Sequence, residues 1–131
     1  MGLRALSREE CLNLLCEVPV GRVGVQLGAL PAIFPVTFQV WGDDLVLFNA
    51  IGGSPLALSA DDAVIAFEAD SYDQATRTGW TVMGVGRSTC LQGLDDLAGM
   101  RGTAPELWIT GDEPEVLIQL RLDDLSGHLL D

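Results

Sequence analysis

The stretch VGRVGVQLGALPAIFPVTFQV, residues 20–40, decides the fold class. From Val20 the side chains alternate with a period of two. Gly21, Val23, Val25 and Leu27 face one way, and Val20, Arg22, Gly24 and Gln26 face the other, which is a strand with one buried face. Gly28 turns the chain. Residues 32–40, rich in Ile, Phe, Val and Thr, read as the returning strand. Pro35 has no N–H to give a ladder, so this second strand is expected at an edge or a bulge.

Working outward, the N-terminal side changes period. Ser7, Arg8, Glu9 and Glu10 form a capping-box pattern, and Cys11, Leu14, Leu15 and Val18 keep helical spacing until Pro19. On the other side Gly42-Asp43-Asp44 is a hairpin turn, and residues 45–49 return as a third strand. Gly52-Gly53-Ser54-Pro55 leads into a short helix over residues 56–60. Residues 64–69 read as a fourth strand, 70–79 as a polar turn-rich segment, and 80–90 as a fifth strand. A second helix is expected at 94–100, then one or two strands over 116–122 and 127–130. Short antiparallel strands with tight turns, and helices only at the gaps, predict a mainly-β chain closed into a small barrel.

The chain of 131 residues is one ordinary domain, and its 48% hydrophobic content and mean hydropathy of +0.30 are those of a folded protein. Nineteen acidic residues stand against seven arginines, giving a net charge of −12 with no lysine. Such a field repels phosphodiester backbones, so no nucleic-acid partner is expected, and a Schiff-base or P-loop lysine is excluded. The apolar run of residues 29–41 is broken by Pro31 and Pro35 and is too short for a membrane span. No basic region with an apolar core opens the chain, so a cytoplasmic location is expected. Cys11, Cys16 and Cys90 are too few, and too far from the single His128, for a metal site. Cys11 and Cys16 lie among leucines, where cysteine serves as a small buried hydrophobe.

Three segments carry a family resemblance. They are VPVGRVG at 18–24; LPAIFPVTF at 30–38, followed by LFNA at 47–50 and GSPL at 53–56; and AFEAD at 66–70 with TRTGWTV at 76–82 and VGR at 85–87. In this order and spacing the chain resembles the pyridoxamine 5′-phosphate oxidase-like family of flavin and deazaflavin oxidoreductases. The resemblance implies a six-stranded antiparallel split β-barrel (Greek key) with short flanking helices, spanning residues 1–131 as one domain. It implies a homodimer with a cofactor, FMN or deazaflavin, in each of two grooves between subunits, and a small organic molecule as substrate. The isoalloxazine ring would rest on Pro35, Val36, Thr37 and Phe38, with Thr81 near it. Asn49, Ala50, Gly53 and Ser54 would hold the ribityl phosphate.

At that phosphate the sequence departs from its relatives, which carry Arg-Thr or Tyr-Thr and then Gly-Ser-Lys or Gly-Ser-Arg. Here Asn49-Ala50 and Gly53-Ser54-Pro55 supply no cation. Phosphate binding rests on charge-assisted hydrogen bonds of roughly 1.5–3 kcal/mol each, so FMN is expected to bind weakly, by about two orders of magnitude or more. Arg77, in a polar loop, and Arg87, after Gly86, are the candidates to compensate. The plainer role for Arg77 is a solvated balance to Asp70 and Asp73, and for Arg22 a structural ion pair. Trp80 either stacks on the ring or, by default, packs in the dimer interface. Val82, Gly84 and Gly86 leave one strand face nearly bare, which suits close approach by a backbone or by a flat ring. No nucleophile triad or carboxylate pair is evident, so no catalytic residue is assigned. Two functions follow: a flavin-dependent oxidoreductase, or a non-catalytic split-barrel dimer that lost its phosphate clamp and binds another small ligand, haem among the choices, or none.

Overall fold

The computed structural model describes residues 2–91 and 115–131. In chain order the elements are β1 (Leu3–Ala5), α1 (Arg8–Leu15), β2 (Val20–Leu27), β3 (Leu30–Trp41), β4 (Leu45–Ile51), α2 (Pro55–Ser59), β5 (Ala63–Asp73), β6 (Thr78–Leu91), β7 (Glu115–Arg121) and β8 (Asp124–Leu130). The helix expected at 94–100 lies outside the described residues.

The strands form a closed ring. The order β6-β5-β2-β3-β4-β7 returns to β6 through a β6–β7 pairing, and β8 and β1 hang from β6 outside the ring. The six strands of the expected barrel are this ring. The described residues form eight strands because the C-terminal region supplies β8, and β1, only three exposed residues, pairs with it. β6 makes the split. Its residues Thr78 to Ser88 pair with β5, while its other edge is shared: Gly79 to Val85 bond to β8, and Ser88 to Leu91 bond to β7.

Local chemistry explains the elements. Ser7 caps α1 by accepting from the Glu10 amide at 3.1 Å, and the Glu10 carboxylate accepts from the Ser7 amide at 3.0 Å. That bond, with Arg4 beside it, holds the Glu10 carboxyl below its ordinary range. Gly28 and Gly42 have φ of +64° and +66° at the two hairpin turns. Pro35 lies where β3 has a partner on one side only: β2 pairs with residues from Leu30 to Thr37, and β4 pairs only from Phe38 onward. It sits at an edge, as its missing N–H requires.

The core fills the ring. Val23, Val25, Val36, Phe38, Val46, Phe48, Ile65, Phe67 and Val82 are buried there, with Phe38 and Phe67 edge to face at 4.9 Å between centroids. Cys11 is wholly buried, and burial pushes its thiol up. Cys16, expected to be buried with it, is exposed, because it caps the C-terminal end of α1 and turns away from the core. Trp80 is also core, at 7% exposure, and so is not in the interface role expected of it. It shares the inward face of β6 with Val82, Gly84, Gly86 and Ser88. The bare glycine face serves a backbone: a Cβ on Gly86 would run into the Arg121 carbonyl.

Candidate functional site

Four neighbouring strands, β3, β2, β5 and β6, turn their second faces away from the core. Register places residues there in rows. Ile33 faces Gly24, Gly24 faces Ala66, and Ala66 faces Val85. The next row is Pro35, Arg22, Glu68 and Met83. One step further, Thr37 pairs with Val20, and Asp70 pairs with Thr81. Ile33 is 74% exposed, Val64 61%, Met83 49% and Val85 38%, so apolar ridges flank a floor of Gly24 and Ala66.

A groove of about 330 Å³ lies over the middle rows, lined by Arg22, Gly24, Ile33, Glu68, Asp70 and Met83 among others. At its polar end one guanidinium serves two carboxylates. Arg22 Nη1 donates to Glu68 Oε1 at 2.9 Å and approaches Asp70 Oδ2 at 3.5 Å. Partial burial, then the hydrogen bond and like charge of Asp70, push the Glu68 carboxyl up to about 7, against the pull of Arg22. Beyond Asp70 the hydroxyls of Tyr72 and Thr81 are hydrogen-bonded at 2.6 Å.

Of the residues expected to line a ring site, Pro35, Thr37 and Thr81 belong to this outer face. Val36 and Phe38 alternate inward and are core. Thr37 and Asn49 stand where β3 and β4 part, one step beyond the last pair, Phe38 with Phe48. Both are buried, at 9% and 8% exposure, and both are bonded. Ala50 is core. Gly53, φ +76°, turns the chain into α2, where the Ser54 oxygen accepts from the Ala57 amide at 3.2 Å and Pro55 opens the helix. Thr37 and Asn49 are thus neighbours where the β3–β4 pairing ends, and the Gly53–Ser54 turn follows the end of β4 in the chain.

Three of the described arginines lie elsewhere. Arg87 is bonded to Asp62 at 2.8 Å, and Arg22 to its two carboxylates as expected. Arg77, φ +57°, is at the tip of the β5–β6 hairpin, beside a groove of about 550 Å³ lined by Tyr72, Asp73, Gln74 and Leu130. The opposite end of that hairpin is tied to α2, since Ser88 Oγ donates to the Ala60 carbonyl at 2.6 Å. From Thr78 to Ser88 the strand runs roughly 33 Å. Arg77 thus lies at the end of the hairpin remote from α2. Arg22, Glu68, Asp70 and Met83 were not foreseen as neighbours in one groove. The alternation that turns Arg22 outward on β2 is legible, whereas Asp70 reads as loop and the β2–β5 register that unites the four is not legible.

The pyridoxamine 5′-phosphate oxidase family profile matches residues 7–128. An FAD-binding protein of Mycobacterium smegmatis superposes with a TM-score of 0.81 at 27% identity, over 98% of this chain and all of the other. An FAD-binding protein of Mesorhizobium loti gives 0.74 at 20% identity, over the full length of both chains. The uncharacterized protein Rv0080 of Mycobacterium tuberculosis is 39% identical over 88 residues. That match spans 64% of this chain and 58% of the relative.

Proposed function

The chain belongs to the pyridoxamine 5′-phosphate oxidase family, and from that premise we propose that it is a homodimeric flavin-binding oxidoreductase acting on a small organic substrate. The observation that carries the reading is the outer face of β3, β2, β5 and β6: an exposed apolar floor beside Pro35, Thr37 and Thr81. A flat heteroaromatic ring fits such a floor, because Gly24 and Ala66 put little above the sheet and the hydroxyls of Thr81 and Tyr72 offer polar contacts at its rim. The FAD-binding relatives share this fold and support a flavin as the occupant.

The two ends of the cofactor fit unequally. At the end where β3 and β4 part, Asn49, Ala50, Gly53 and Ser54 would take the phosphate, yet no described arginine of the same chain stands beside them. Arg77 is the cation a partner subunit would bring. The bound flavin would supply hydride or single-electron transfer, and the protein would orient it and exclude water.

Titration with riboflavin, FMN, FAD and a deazaflavin tests the proposal. We expect flavin binding by the dimer, with FMN tighter than riboflavin by about tenfold to a hundredfold, because one charge-assisted contact is worth roughly 1.5–3 kcal/mol and each 1.4 kcal/mol is tenfold. Arg77→Ala should remove that margin and leave riboflavin untouched. A dimer that binds none of the four would move the assignment to a non-catalytic barrel.

A further inference from the structure

The groove at the tip of the β5–β6 hairpin, about 550 Å³, is built by Tyr72, Asp73, Gln74, Arg77 and Leu130 of a single chain. Its size suits a small molecule rather than one bound ion. Two of its residues are held in ways that packing alone does not ask for. Arg77 has φ +57°, a left-handed backbone that favours glycine or asparagine at a hairpin tip. Keeping a long basic side chain there costs stability. Among the described residues no carboxylate pairs with its guanidinium. Tyr72 lies across its cross-strand partner Gly79, where a Cβ would run into the Tyr72 ring. Its hydroxyl is bonded to Thr81 Oγ1 at 2.6 Å, yet the residue is 56% exposed. The ring is thus fixed on the sheet and still open to the groove that it lines.

The lining has the chemistry of a nucleotide site. An immobilised aromatic ring stacks on a flat base, and the Gln74 amide can donate to and accept from the edge of that base. A carboxylate accepts from the hydroxyls of a ribose. Asp73 Oδ1 already accepts from the Ala75 amide at 2.9 Å, which orients the group and leaves Oδ2 for the sugar. An unpaired guanidinium takes the phosphate. In a chain of net charge −12 without a lysine, such a site suits one nucleotide and not a polyanion.

We propose that this groove binds the adenosine 5′-phosphate end of a dinucleotide. Adenosine follows from the flavin reading above, on which this rests, because the redox dinucleotides FAD and NADH share that end. The groove also suits the place that reading gives to Arg77. Where Arg77 meets the flavin phosphate across the dimer, Tyr72, Asp73 and Gln74 lie beside it, where FAD continues into adenosine and FMN ends.

Tyr72 is the chain's only tyrosine, so its ring resonances in NMR report the groove directly. AMP titrated into the flavin-free protein should shift them saturably, and adenosine should bind about tenfold more weakly. Arg77→Gly, which relieves the backbone, should melt no lower than wild type and bind AMP no better than adenosine. By calorimetry Tyr72→Phe should keep the affinity for AMP, and Tyr72→Ala should lose it by about tenfold. Two arms separate the sources. If the nucleotide belongs to the flavin, FAD should bind about tenfold tighter than FMN, and Tyr72→Ala should erase the difference. If it belongs to the hydride donor, NADH should shift the Tyr72 resonances of the riboflavin-loaded protein while FAD and FMN bind alike. No saturable shift with AMP, or AMP binding with neither a gain for FAD nor a shift with NADH, overturns the proposal. So does an Arg77→Gly protein that still prefers AMP to adenosine. Riboflavin binding in those cases leaves the flavin reading standing, whereas AMP binding without riboflavin binding keeps the groove and removes the flavin.

Discussion

Glu68 and Asp70 are two residues apart on β5, on one face, and share the Arg22 guanidinium. The sign of their effect on folding follows from the raised Glu68 carboxyl, about 7 against an ordinary 4.5. Below about 4.5 the group is protonated in both folded and unfolded chains. As pH rises towards 7 the unfolded chain ionises freely while the folded one resists, so stability falls across that window and stays lower above it. Glu68→Gln should therefore match wild type in Tm at pH 4 and exceed it at pH 8, by thermal unfolding followed with circular dichroism. A lower Tm at pH 8 would mean that the Arg22–Glu68 ion pair outweighs the repulsion. Trp80 carries a different lesson at this scale. By strict alternation it shares a face with Val82, Gly84 and Gly86, and that face is the inner one. Interface statistics for tryptophan pointed the other way; the strand's own period was the better guide.

The elements legible in the sequence are those whose bounds are set locally. The capping box fixes the start of α1, and Gly28 and Gly42 fix two hairpins. In sequence the strand ends at Ala69, because Asp70, Ser71, Tyr72 and Asp73 look like a loop. They stay in a strand because β6 pairs with each of them, out to Asp73 with Thr78. β1 has no burial period to read, and is held by backbone bonds such as Leu6 N–H to the Gly127 carbonyl at 2.9 Å. The site was half legible for a related reason. Parity along one strand comes from neighbours in sequence, whereas Arg22 beside Glu68 depends on a pairing between strands more than forty residues apart. Gly86 belongs to the same class. Its hydrogen is what lets the β7–β8 connection cross β6 with the Arg121 carbonyl against it. Gly86→Ala should lose about 3 kcal/mol or more in urea unfolding, because backbone cannot retreat as a flexible side chain would. A loss below about 1 kcal/mol would show that the connection yields.

At the scale of the whole molecule, Ile33 offers a test of the proposed dimer apart from the fold. Its side chain is 74% exposed and touches the core little. Ile33→Asp should leave the circular dichroism spectrum and the folded state intact, while sedimentation at micromolar concentration shifts from dimer to monomer. An unchanged dimer would place the interface on another surface. No helix among the described residues is long and apolar enough to cross a membrane. The ring itself sets an order of events when the chain is made. β7 is the last of its six strands to leave the ribosome, and it pairs with β4 on one edge and β6 on the other. Until it arrives, Val46 and Phe48 lie on a strand with one open edge, at the stage when a nascent chain is most apt to pair with a stranger. Nineteen acidic residues spread along the sequence then act as a guard, keeping unfinished chains apart until the barrel can shut.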